Sequence, residues 1–266
     1  MTGAPKGSRG RRDGEYLSRS YRGRMGARFR SFSASYKESD LWIGVDPPSF
    51  SSGMEDFAAT RARRFRLELE AYIAQRPEFL SSLAPIAADP EAPELARAML
   101  AASEAAGVGP MAAVAGAVAE SVGAALRAEF GCREVLVENG GDLWLSFEEE
   151  IDVSVFAGGS PLSERVGVSI APSFSPLGLC TSSGAIGPSL SLGKADAAMV
   201  ASPSAALADA YATALGNAVG GPGDIEGALD LLHGRTGVLS LLVVAGGRMG
   251  IRGELPLKLF GPVLTL

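Results

Sequence analysis

Two strand-forming runs, Glu134–Glu138 and Asp142–Phe147, flank the turn Asn139-Gly140-Gly141. A connection this short joins only antiparallel strands, and adjacent glycines supply the positive φ that a tight hairpin demands. Read as a hairpin, the stretch implies antiparallel sheet. The same two glycines leave the backbone bare, so a ligand could approach closely with Asp142 at its rim. Spacing alone leaves turn and ligand wall both open.

The other elements follow from periodicity. FSASYKESDLWIGV (Phe32–Val45) alternates as one bent strand or a strand pair. Met54–Gln75 reads as a charged helix stopped by Pro77, and helices follow at Pro93–Ala106 and at Met111–Phe130, with Pro110 in the first turn of the second. Further strands are expected at Ile151–Phe156, Val166–Ile170 and Ala197–Val200. Helices at Ser204–Val219, capped by Ser202 or Ser204, and at Asp224–His233, capped by Asp224, come next, and a closing hairpin turns at Gly246-Gly247. Helices gather in the first half and strands mostly in the second, which indicates an α+β fold with antiparallel sheet packed against helices. No repeat or linker divides the body, so residues 16–266 read as a single domain.

Charge narrows the partners. Residues 1–30 carry nine basic side chains against Asp13 and Glu15, while the whole chain has net charge −6, so the body is acidic. An acidic body does not suit nucleic acid, whose phosphates demand a basic face. The start is rich in Gly, Arg and Ser, lacks the apolar stretch of a signal peptide, and reads as a flexible arm over residues 1–15, with Tyr16, Leu17 and Tyr21 opening the ordered part. Val108–Leu126 is apolar enough to raise a membrane span, but it is rich in Ala and Gly and carries Glu120, so a packed helix off the membrane is expected. Cys132 and Cys180 lie in apolar surroundings and read as buried thiols of a cytoplasmic protein. Nothing here fixes an oligomeric state, and a homo-oligomer stays open.

Three stretches carry residues suited to chemistry. In SPSAALADAYATALGNAVGG, Asp209 and Thr213 share one helix face amid Ala, Leu and Val. One carboxylate and one hydroxyl suit Mg2+, which completes its shell with waters and phosphates. A solvated aspartate beside a threonine bonded to its own helix satisfies the same spacing. In LCTSSGAIGPSLSLGKADA, Thr181, Ser182, Ser183 and Gly184 offer hydroxyls and N–H groups of the kind that nest around phosphate, with Lys194 and Asp196 further on. A glycine-rich surface loop is the alternative. In GPMAAVAGAVAESVGAAL, Gly116 sits within a helix, where glycine costs about 1 kcal/mol relative to alanine. Something must approach closely there, more often a helix than a ligand. The single histidine, His233, ends a helix and reads as structural, which leaves no Ser–His–Asp arrangement.

With YKESDLWI, VGPMAAVAGAVAE, VENGGDLWL, CTSSGAIGPSLSLGKADA and ALADAYATALGN in this order, the chain from about Tyr16 onward resembles the ApbE superfamily. Its best-known members are Mg2+-dependent FAD:protein FMN transferases, and the likeness is greatest to a short branch of the superfamily. The resemblance implies a T-fold-like domain, a Mg2+ held by Asp209 and Thr213, and a flavin site lined by Gly140, Gly141 and Asp142 and by Thr181, Ser182 and Gly184, with Ser183 inserted. It also brings the helix of Gly116 to the same cleft, with a backbone carbonyl near Val118 as a further metal ligand.

The departures are specific. Ala115 stands where the transferases carry lysine before glycine, and GKADA replaces a His-x-x-Asp-Pro segment. Lys194 would stand in for that histidine as a cation, with Asp196 beside it as the second catalytic candidate. Lysine is a poor base unless its pKa is depressed. Two functions follow from the resemblance: a Mg2+-assisted enzyme cleaving the pyrophosphate of FAD or a related dinucleotide, or a protein that binds FAD, FMN or a similar small metabolite without turnover. A scaffold whose site has decayed is the third.

Overall fold

The computed structural model describes residues 28–37, 39–184 and 193–261. The expected basic arm, with Tyr16, Leu17 and Tyr21, lies outside the described residues.

The chain opens with an antiparallel pair, β1 (Arg30–Tyr36) and β2 (Ser39–Val45). Helices α1 (Met54–Gln75), α2 (Glu78–Ser81), α3 (Glu94–Ala106) and α4 (Val114–Phe130) follow. Strands β3 (Val135–Asn139), β4 (Asp142–Ser146), β5 (Ile151–Ser154), β6 (Val166–Ile170), β7 (Leu177–Ser182) and β8 (Ala197–Ser202) come next. The chain then runs through α5 (Ala205–Asn217), α6 (Ile225–Leu232), β9 (Ser240–Ala245), β10 (Arg248–Gly253) and β11 (Leu257–Leu259). Eight strands form one sheet in the order β1-β2-β3-β4-β7-β8-β9-β10, and β11-β6-β5 form a second. Every pairing in both sheets is antiparallel, as an α+β fold requires.

The large sheet is covered on both faces, and its sequence shows why. In β8, Ala198 and Val200 belong to the core shared with the helices, while Ala197, Met199 and Ala201 belong to the core under the small sheet. In β9, Leu241 and Val243 alternate with Leu242 and Val244 in the same way. Period-two side-chain alternation with apolar residues at every position yields a strand buried on both sides.

Glycines set how closely the helices lie on this sheet. A Cβ added at Gly123 of α4 would stand 2.3 Å from the Trp144 ring, and one at Gly178 of β7 would stand 2.2 Å from the Cα of Ala205. The region Pro110–Phe130, long and apolar enough to cross a membrane by composition, packs here against β3, β4 and α5.

Several expectations shift in detail. Phe32–Val45 is a strand pair turning at Lys37. β7 was not among the expected strands, because Gly178 and the serines of LGLCTSSG look like loop punctuation. The glycine is there to admit α5. Ser204 caps α5 by accepting from the N–H of Leu207. Asp224 does not cap α6; its carboxylate accepts from the N–H of Gly220 at 2.9 Å instead. Pro110–Ala113 is a 3-10 turn and α4 begins only at Val114, which frees the N–H groups of Ala115 and Gly116 for a partner outside the helix.

Gly178→Ala should force α5 off the sheet and cost about 3 kcal/mol, as overpacking a tight contact does. Urea denaturation checks this as a lower midpoint at unchanged slope. A loss under about 0.5 kcal/mol, the level of an ordinary surface change, would mean that the contact yields freely.

Candidate functional site

The site forms where α4 and α5 meet the turn of the β3–β4 hairpin. A Cβ at Gly116 would stand 2.2 Å from the carbonyl oxygen of Ala205 and 2.9 Å from the Cβ of Asp209. The close partner of this glycine is thus a helix. At that separation Oδ2 of Asp209 accepts from the N–H of Gly116 at 2.9 Å, and the Ala115 N–H also acts on the carboxyl. Asp209 therefore caps α4 from outside, at the positive end of its dipole. The reciprocal bond runs the other way. Oε2 of Glu120, on α4, accepts from the N–H of Ala205 at 2.7 Å, the N–H of Ala206 at 3.3 Å and the hydroxyl of Ser204 at 2.9 Å.

Gly140 and Gly141 form the two-residue turn of the β3–β4 hairpin, at φ 69° and 107°, between the paired residues Asn139 and Asp142. Both glycines are needed for conformation, and a Cβ at either would meet nothing within 4 Å, so the space beside the turn is open. Asn139 donates from Nδ2 to the Ala115 carbonyl at 3.1 Å, which ties the hairpin to the start of α4. Oδ1 of Asp142 accepts from the N–H of Thr181 at 3.2 Å, extending the β4–β7 ladder by a side chain. Glu138 receives the N–H of Gly141 at 2.7 Å.

The electrostatics are unbalanced. Burial pushes the carboxyl of Asp142, 8% exposed, up to about 7, with the Glu138 charge adding and the Thr181 N–H and Cys180 thiol opposing. Asp209 is also raised well above the carboxylate range, first by burial and then by the Asp142 charge, against the N–H groups of Gly116 and Ala115. No cationic side chain figures among the causes of either shift. Cys180 lies between the two acids with its thiol donating to the Ala205 carbonyl at 3.4 Å, and burial raises it as well. Among the described residues no group of three or more His, Cys, Asp or Glu is arranged to hold a metal. Any ion here must draw on hydroxyl, carbonyl or substrate oxygens beside the carboxylates.

The sequence-derived candidates fall into two groups. Asp209, Gly116, Gly140, Gly141 and Asp142 converge. Thr213 lies half-buried one turn beyond Asp209 on the same side of α5. Ser182 reaches the same helix at Gly216, and Ser183 and Gly184 continue from it. Thr181 contributes its N–H only. Leu177 and Leu179 of β7 enter the far core and Cys180 the helix-side core, so alternation sends the Thr181 hydroxyl to the far face. Val118 is buried inside α4, where a regular helix uses its carbonyl internally; the carbonyl at the turn is that of Ala115. Asp196 binds the N–H of Gly246 at 2.8 Å in the β9–β10 turn. Lys194 is exposed, and its N–H bonds Val219 just past the end of α5. Residues missing from the sequence reading are Glu120, Glu138, Asn139 and Cys180. Glu120 left a signal as the single charge in the run Val108–Leu126.

The raised carboxyl of Asp142 has a consequence for stability. Its proton is held in the folded chain up to about pH 7 but lost from the unfolded chain near 3.8. Its contribution is therefore complete below about pH 4 and is lost as pH rises toward 7, by up to about 4 kcal/mol. In metal-free buffer, Asp142→Asn should flatten the dependence of the urea midpoint between pH 4 and 7. Equal slopes in parent and variant would remove Asp142 as its source.

The family described as AbpE bacteria matches residues 22–228. A UPF0280 protein of Methanocella arvoryzae is 44% identical over 193 residues, which cover 73% of this chain and 78% of the relative. A UPF0280 protein of Methanococcus aeolicus is 38% identical, covering 84% and 89%. In fold, the crystal structure of the ApbE protein of Thermotoga maritima aligns with a TM-score of 0.50 at 11% identity, covering 85% of this chain and 97% of that one. An acid pair at a glycine hairpin, Asp142 buried and Asp209 half-buried, in an antiparallel sheet packed against helices, is thus carried by a chain that belongs to the AbpE bacteria family.

Proposed function

We propose that the chain binds a flavin nucleotide, FAD or FMN, or a related dinucleotide, between the Gly140–Gly141 turn and α5, with Mg2+ joining protein to phosphate. The observation that carries this reading is the pair Asp142 and Asp209, two acids raised in pKa with no cationic side chain among the described residues as a cause of either shift. The donor set suits a hard cation, being carboxylate and hydroxyl oxygen with no imidazole, and its one sulfur is a thiol held protonated by burial. When bound, Mg2+ would neutralise phosphate charge. Asp209 and Thr213 would hold it from one helix face. Ser182 and Ser183 would present hydroxyls to the phosphates, whereas the N–H of Gly184 donates to the Ala195 carbonyl at 3.0 Å and is not offered to them. The open space beside Gly140 and Gly141 would admit a flat ring against bare backbone.

A second reading, cleavage of the FAD pyrophosphate, is favoured by the position of the Asp142 carboxyl near pH 7. An acceptor hydroxyl would bond to the FMN phosphorus, the bridging oxygen would leave with AMP, and Asp142 would take the acceptor's proton. Binding without turnover is favoured by Ala115 in place of a lysine, and by Asp196, whose carboxylate accepts from the N–H of Gly246 in the β9–β10 turn.

FAD affinity measured by fluorescence with and without Mg2+, in the parent and in Asp209→Asn, tests the reading. Asparagine keeps an acceptor for the Gly116 N–H, so α4 stays capped. Mg2+ should tighten FAD binding in the parent by at least about tenfold, roughly 1.4 kcal/mol, and leave the variant unchanged. Equal affinity in the parent with and without Mg2+ would take the metal out of the site. In the same mixtures supplied with a hydroxyl-bearing acceptor peptide, AMP release would assign the enzyme, and intact FAD would leave the binding protein.

A further inference from the structure

We infer that Glu120, on the helix opposite, is a positioning residue for Asp209. The inference rests on the reading of Asp209 as a ligand-site residue. Asp209 is the fifth residue of α5, so its location is set by where that helix begins and how it is rotated. Both are fixed by one oxygen. Oε2 of Glu120 receives the N–H groups of Ala205 and Ala206 and the hydroxyl of Ser204, the residues that open the helix. Three donors meeting at one acceptor define a direction as well as a distance, which a hydrophobic contact does not.

Further along α5, buried Tyr211, whose hydroxyl donates to the Thr236 carbonyl at 3.4 Å, and Leu215 anchor the helix in the core, but its first turn has no such side chain. The flanking surfaces are Gly116, Gly178 and a run of alanines. Small residues let helices approach but present no side chains whose interdigitation would stop sliding or rotation. Ala205 has tight backbone contacts to both glycines, so α5 cannot move inward. Glu120 prevents motion along the helix axis. It acts from α4, whose own start is held by Asp209 four residues earlier in that helix, at Gly116. The two carboxyls close a loop in which each helix fixes the acid that caps the other. A change at Glu120 is therefore transmitted to the Asp209–Gly116 bond even though Glu120 touches neither residue in the recorded hydrogen bonds.

The test uses Glu120→Ala, Glu120→Gln and a control, Leu232→Ala, which opens a cavity in α6. Two readouts are taken well below the melting temperature of each variant: hydrogen exchange of the Gly116 amide by NMR, and Mg2+-dependent FAD affinity. Losing the acceptor should speed Gly116 exchange and weaken the Mg2+-dependent binding by on the order of tenfold each, the worth of one charge-assisted hydrogen bond. Glutamine keeps an uncharged acceptor and should fall between, near threefold by roughly half that energy. The control should lower the melting temperature and move neither readout. The inference is overturned if both readouts stay at parent values in Glu120→Ala, or in Glu120→Gln should the alanine variant not fold, or if the control moves them equally. A parent that shows no Mg2+ effect defeats the metal reading alone, and Gly116 exchange then still decides whether Glu120 positions Asp209.

Discussion

Ala205 is wedged between two glycines, and much of the site follows from that contact. Gly178 presents a bare Cα from the sheet and Gly116 another from α4, and both lie at distances that no side chain would allow. A helix start held this close cannot be solvated by water on its inner side. The N–H groups of its first turn must then find acceptors within the protein. Glu120 supplies one for α5, and Asp209 performs the same service for α4. Packing by small residues thus creates a demand for carboxyls at the helix contact, half-buried at Glu120 and Asp209, that larger side chains would have avoided by holding the helices apart.

Meeting that demand brings acids together. Asp142, Asp209 and Glu138 gather about one hairpin, and the thiol of Cys180 lies among them. Burial of a carboxylate is unfavourable unless a positive charge or enough hydrogen bonds compensate. The start of α4 gives Asp209 part of that compensation. Asp142 has one recorded main-chain donor, the N–H of Thr181, which does not offset its desolvation. Proteins concentrate such uncompensated groups where function needs them.

The antiparallel hairpin, the long helices and the α+β class were legible because each rests on local signals: paired glycines, apolar periodicity, proline stops. The convergence of Asp209 with the glycine turn came from resemblance, since spacing on one helix says nothing of what lies opposite. β7 escaped notice because Gly178 and the serines serve a contact with α5, a demand made by residues more than twenty positions away. Alternation could have separated the hydroxyls of Thr181 and Ser182, but only once β7 was known to be a strand. Glu120 was visible as a lone charge in an apolar run, yet its partners, Ser204 to Ala206, belong to another helix. Lys194 and Asp196 stand out in the sequence by charge alone, which does not show that the Asp196 carboxylate is committed to the Gly246 N–H in the β9–β10 turn.

Capping and ion binding are often treated as rival explanations for an aspartate, but under the proposed reading they would reinforce each other at Asp209. A carboxylate has about four lone-pair positions, and the Gly116 bond uses one of them, on Oδ2. The end of α4 carries a fixed partial positive charge equivalent to roughly half a unit. It favours the ionised form of Asp209, which is the form a cation requires. Because the same bond fixes where the carboxyl stands, its location does not depend on the ion. A cation arriving with a nucleotide would find its first ligand already oriented, and little of its binding energy would go into ordering the protein. Under the proposed reading, the helix end would thus prepare the acid for a metal without replacing it.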